Sequence, residues 1–183
     1  KRLMSGSRRM KITLCTIGFA GKTAEEFFRL LREAGAQKVI DVRENRLGQL
    51  AGFAKYPDIA FFLKQLGSME YRHEPLLAPS PEIRKSYRKG RDWAVYESAF
   101  LALMQEREIP ERVELNGFKG TVALLCSEPG PEKCHRRLVA DLLAKHWQSL
   151  GHSVEIKHLV SEQPVAPKKR RKRSAGHDGA DPQ

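Results

Sequence analysis

A chain of 183 residues with 40% hydrophobic content is long enough for one domain with its own core and too short for two full-sized ones. It has no uninterrupted apolar run approaching the roughly 18–20 residues that cross a bilayer, which excludes a helical membrane span. The basic N-terminus is not followed by an apolar stretch of signal-peptide type, so secretion is not expected. The formal net charge of +11 is uneven: residues 1–11 carry five basic and no acidic groups and residues 161–183 six basic and three acidic ones, leaving about +3 for the body between them.

In chain order, Lys11 to Ile17 reads as a strand followed directly by Gly18. Thr23 then caps a helix, with Glu26 completing a capping box; Phe27, Leu30, Leu31 and Ala34 form its apolar stripe and Gly35 ends it. Val39 and Ile40 begin a second buried strand that runs out in Asp41-Val42-Arg43. This β-α-β unit implies parallel strands, because only a crossover can join them. Residues 44–55 read as a loop, Pro57 to Leu66 as a helix closed by Gly67, and Met69 to Leu77 as a third strand. Pro79 and Pro81 open a polar segment, and Asp92 caps a helix through about Arg107 whose face is Trp93, Tyr96, Phe100 and Met104.

The central stretch is VALLCSEPGPEKCHRR, residues 122–137. Its apolar start suits a buried strand, Pro129, Gly130 and Pro131 break regular structure, and Leu138 to Trp147 recur at helical spacing. A last strand spans Val154 to Leu159. The whole predicts a three-layer α/β domain over residues 11–160, a mostly parallel sheet with helices on both faces. A basic arm (1–10) precedes it and a disordered basic tail (161–183) follows, holding the unbroken basic run Lys168 to Arg173. Such tails attract any polyanion without selecting a sequence; a solubilising role explains them equally well.

Strand, loop, helix delivers side chains and free amides to the C-terminal edge of the sheet, where ligands bind in open α/β folds. Glu128 is the candidate general acid or base, partial burial being able to tune it. Asp41 and Arg43, two apart on an extended segment, point to one side, either into the same cleft or into a structural ion pair. Cys126 ends its strand as a candidate nucleophile or a buried structural thiol. His135 and Arg136 open the helix and suit an anion such as phosphate. Arg84, Lys85, Tyr87, Arg88, Lys89, Arg91 and Trp93 interleave charge and rings, which suits a nucleic-acid strand or a solvated helix face. Three cysteines, Cys15, Cys126 and Cys134, at no disulfide-framework spacing read as reduced thiols in a cytoplasmic protein. Zinc would need a fourth ligand besides Cys126, Cys134 and His135, and their spacing matches no common finger, so neither metal nor cofactor is expected.

With Thr16-Ile17-Gly18, Asp41-Val42-Arg43 and Cys126-Ser127-Glu128…Cys134-His135-Arg136 in view, the chain resembles the DUF488 family, a domain of unknown function. The resemblance covers roughly residues 12–159 and includes Gly52-Phe53 with Lys55 and the segment Pro81 to Trp93. It implies a small α/β domain with a polar site at the strand ends, Lys55 among its binding residues, and supplies no reaction. The chain departs from relatives at Phe19-Ala20, where they usually have His-Ser or Tyr-Glu, and at Gln49-Leu50-Ala51, where they often have a basic pair.

Three functions fit these residues. The first is an enzyme, a hydrolase or glycosylase, acting on nucleic acid or a nucleotide, with phosphate at His135–Arg136 and Glu128 or Asp41 as acid/base. The second is a non-catalytic nucleic-acid-binding protein. The third is a thiol enzyme using Cys126: residues 39–43 also resemble rhodaneses, although SEPGPEKC does not reproduce their loop after the cysteine.

Overall fold

The computed structural model describes residues 9–48 and 51–161. The expected arm and tail, and Gln49-Leu50, therefore lie almost wholly outside the described residues. Among the described residues there are five strands and five α-helices, in the order β1 (Lys11–Gly18), α1 (Ala24–Glu33), β2 (Lys38–Asp41), α2 (Asp58–Gly67), β3 (Glu70–His73), α3 (Pro81–Gly90), α4 (Trp93–Glu106), β4 (Gly120–Cys126), α5 (His135–Ser149) and β5 (Ser153–Leu159). All strands are parallel in the order β3-β2-β4-β1-β5, as the β-α-β reading requires. Among the described residues no helix is long and apolar enough to cross a membrane.

The two-residue period of β4 sorts its side chains between two cores. Val122, Leu124 and Cys126 face α4 and α5 with Phe100, Leu143 and Trp147. Ala123 and Leu125 face α1 and α2 with Phe27, Leu31 and Leu63. Each large apolar side chain so enclosed stabilises by about 1.5–3 kcal/mol relative to exposure. β4 is inserted between β1 and β2, with Cys126 level with Gly18 and Leu125 level with Asp41. The helices following β1 and β4 pack on opposite faces, which leaves a crevice at the strand ends between them.

The Thr23 hydroxyl accepts from the Glu26 amide at 3.1 Å, and Asp92 Oδ1 from the Val95 amide at 3.2 Å, so both expected caps are formed. β3 is shorter than expected. It stops at His73 because Pro75 has no amide to continue the ladder, and Pro75–Leu77 forms a 3-10 turn. The polar segment after Pro79 is a regular helix, α3, with Ser80 as its cap and Pro81 at its first position.

Candidate functional site

Gly18 ends β1 directly beside the loop that leaves β4. A Cβ at this position would collide with the Glu128 carbonyl and come within 2.9 Å of Arg136 Nη1, so glycine is what lets the 126–136 loop lie against the strand end. The side chain of Arg136, on the first turn of α5, folds back beneath that loop and is fully buried. Its Nη1 donates to Cys126 Sγ at 2.7 Å, to the Glu128 carbonyl at 2.8 Å and to Cys134 Sγ at 3.2 Å. Nε and Nη2 have no hydrogen-bond partner among the described residues. An unpaired buried guanidinium is costly, and the two sulfurs are its only side-chain partners.

The sulfurs of Cys126 and Cys134 lie 2.8 Å apart. Burial opposes ionisation of Cys126, but the hydrogen bond from the Cys134 thiol, the Arg136 charge and hydrogen bond, and the Glu128 amide outweigh it, so the Cys126 thiol titrates below its ordinary value. Burial and the neighbouring Cys126 push Cys134 well above it. Of the two thiols, Cys126 is therefore the more acidic. Cys15, on the other face of the sheet, is pushed up to about 11 by burial and is an inert core residue.

Above this loop opens a cavity of about 680 Å³ at the C-terminal edge of the sheet. Of the residues expected at a site, Arg43, Arg84, Tyr87, Trp93, Glu128 and His135 all line it, and so does Cys126 at its base. Tyr87 and Trp93 pack against the ring of Tyr96, at centroid separations of 5.0 Å in both cases. They thus serve the core and the cavity wall together. Arg84 is tied to Glu44 at 2.6 Å. His135 Nε2 lies 2.9 Å from the Val42 carbonyl. A carbonyl can only accept, so Nε2 carries the proton and Nδ1 is the basic nitrogen. Burial, with Arg136 and Arg84 adding to it, lowers the imidazole to about 4 despite the opposing effect of that hydrogen bond, leaving it neutral at physiological pH.

Three expected residues stand elsewhere. Asp41 is fully buried and does not line the cavity. Its carboxylate accepts from Arg43 Nε at 2.7 Å and Nη2 at 2.6 Å and from the Tyr71 hydroxyl at 2.8 Å, which is the structural ion pair rather than an acid or base facing a guest. Arg136 lies under the loop rather than in the lining, so its guanidinium serves the sulfurs. Lys55 follows the 3-10 turn Gly52–Ala54 and is also outside the lining. Glu128 is exposed at the rim, so the partial burial expected of it is not found.

The family model for the domain of unknown function DUF488 matches residues 23–143, well over half of the chain. The chain belongs to the DUF488 family. No curated protein gives a significant match. In this DUF488 domain the departure at Phe19 has a local use: the Arg43 guanidinium carbon stands 5.3 Å from the Phe19 ring centroid, and the ring is buried against the pair. The lining also holds Arg88 and Arg91, which belong to the charged and aromatic segment expected to suit a nucleic-acid strand, and Lys133 and Tyr96, which the sequence did not mark as site residues. The signal for Arg88 was its spacing of four from Arg84 on one face of α3, and for Arg91, the left-handed residue that ends that helix, it was the basic segment itself. For Lys133 and Tyr96 only the fold supplies it.

Proposed function

We propose that the cleft of this DUF488 domain receives a phosphorylated ligand carrying flat rings, a nucleotide or a nucleic-acid strand. The observation that carries this reading is a cavity lining that brings Arg88, Arg91 and Lys133 together with the rings of Tyr87 and Trp93. None of these three cations forms an ion pair among the described residues, so their charge is available to an incoming anion. Guanidinium groups bind phosphate in bidentate fashion and rings stack on bases, a combination that suits single strands.

Acid/base work in such a cleft falls to Glu128. Of the carboxylates nearby, Asp41 is committed to Arg43 and Glu44 to Arg84, whereas Glu128 makes no ion pair among the described residues.

The test is fluorescence anisotropy of the full chain with labelled single- and double-stranded oligonucleotides, and competition by a nucleoside monophosphate, over a range of salt. Arg88→Ala with Arg91→Ala should weaken binding at least about tenfold and lower the salt slope by about two, one per phosphate contact. Binding indifferent to both changes would overturn the reading. Glu128→Gln should keep binding and abolish cleavage of a glycosidic or phosphoester bond in the bound strand. If no cleavage is seen with the unaltered chain, the cleft is a binding site only.

A further inference from the structure

We propose that Cys126 and Cys134 form a two-electron thiol centre that reduces small hydroperoxides, with Arg136 as the group that holds the reacting sulfur. The inference stands on the loop beneath the cleft and holds whatever anion the cleft takes. Three observations meet there. The two sulfurs are already in contact at 2.8 Å. A single guanidinium nitrogen donates to both of them, while Nε and Nη2 of the same group remain buried and unpartnered. Both cysteines line the base of the cavity at the strand ends. A structural thiol needs none of this, as Cys15 shows by lying among apolar side chains of the opposite core.

The two sulfurs are also unequal in the way the chemistry requires: Cys126 is the more acidic and Cys134 keeps its proton. The Cys126 thiolate attacks the terminal oxygen of a hydroperoxide. A sulfur–oxygen bond forms, the oxygen–oxygen bond breaks, and the departing alkoxide or hydroxide leaves with the electron pair and takes up a proton. Arg136 Nη2 and Nε are spare donors next to the reacting sulfur for that developing negative charge. The Cys134 sulfur then attacks the Cys126 sulfenic acid, forming a disulfide and expelling hydroxide, which leaves as water with the Cys134 proton. Two thiols and one hydroperoxide thus become one disulfide, one alcohol and one water; a small-molecule dithiol, able to enter where a protein cannot, returns the two electrons by exchange.

Cys126 has no water-accessible surface, which selects by size. Such enclosure bars a protein disulfide from the sulfur and favours hydrogen peroxide, the smallest hydroperoxide, over bulkier ones.

The experiment treats the reduced full chain with hydrogen peroxide and follows free thiols and intact mass. Two thiols and two mass units should be lost together, with a cross-linked Cys126–Cys134 peptide recovered after digestion. The rate at neutral pH should exceed that of free cysteine by about tenfold or more, as expected when a larger share of the sulfur is thiolate, and cumene hydroperoxide should react more slowly than hydrogen peroxide. Cys134→Ser should stop the reaction at a sulfenic acid on Cys126 that dimedone captures, Cys126→Ser should abolish it, and Cys15→Ser should leave it unchanged. The wild-type measurement needs no variant to fold. Thiols that survive peroxide long enough to oxidise free cysteine, or oxidation falling on Cys15, would overturn the proposal. So would equal rates with the bulky hydroperoxide, since the size argument would then fail.

Discussion

At the scale of single residues, the decisive question was which charged groups face a guest and which face each other. That Asp41 and Arg43 point the same way follows from the extended backbone alone. That they close on each other depends on two partners far along the chain: the Tyr71 hydroxyl finishes the carboxylate and the Ala54 carbonyl, 2.9 Å from Arg43 Nη2, finishes the guanidinium. No local pattern announces either. Removing one member of such a pair strands the other in the interior, so Asp41→Ala should cost about 3–5 kcal/mol in urea denaturation, against about 1 kcal/mol for Tyr71→Phe, which deletes one neutral donor. His135 supplies a pH dependence with a definite sign. Its folded value, about 4, lies below the ordinary 6.5, so between those pH values the unfolded chain takes up a proton that the folded chain refuses. Stability is unaffected by this group above about pH 6.5 and falls as pH drops toward 4, by about 1–3 kcal/mol in all. His135→Gln, whose amide can still donate to Val42, should lose that part of the acid sensitivity when the two stability–pH curves are subtracted. Curves that stay parallel across the window would contradict the burial of the neutral ring.

At the scale of elements, most of the fold was legible because periodicity and caps agree. The Thr23 and Asp92 caps, the glycine after α1 and the apolar runs of β1 and β4 all point to the elements observed. The misses have local causes. The apolar pattern of β3 continues through Pro75, which ends the strand, and the charged residues of α3 outnumber its apolar ones and mask its helical period, although Ser80-Pro81 is a standard helix start. That masking matters, since α3 carries Arg84, Tyr87 and Arg88 into the cavity wall. The two caps now give a comparison between faces of the sheet. Thr23→Ala and Asp92→Ala should each destabilise by about 1 kcal/mol, measured by thermal or urea unfolding. Only Asp92→Ala should also weaken oligonucleotide binding, because α4 packs on α3 and begins with Trp93. Equal effects on binding would mean that stability alone, and not the placement of that wall, governs the ligand.

At the scale of the whole molecule, charge is divided between a folded body near +3 and terminal segments that hold the rest. The two contribute to anion binding in ways that salt separates. Charges held in a partly enclosed cleft against a bound phosphate are screened less than charges on the termini acting through solvent, where the Debye length falls from about 10 Å at 0.1 M to about 3 Å at 1 M. Residues 162–183 carry six basic and three acidic groups. Their deletion should reduce affinity for an oligonucleotide severalfold at low salt and make little difference near molar salt. The Arg88/Arg91 double variant should remain weaker than the unaltered chain at both extremes. Anisotropy titrations of the three proteins over sodium chloride measure both effects at once. A deletion that removes all affinity at every salt, with the arginine changes silent, would move binding from the cleft to the terminal segment and leave the cavity to its thiols.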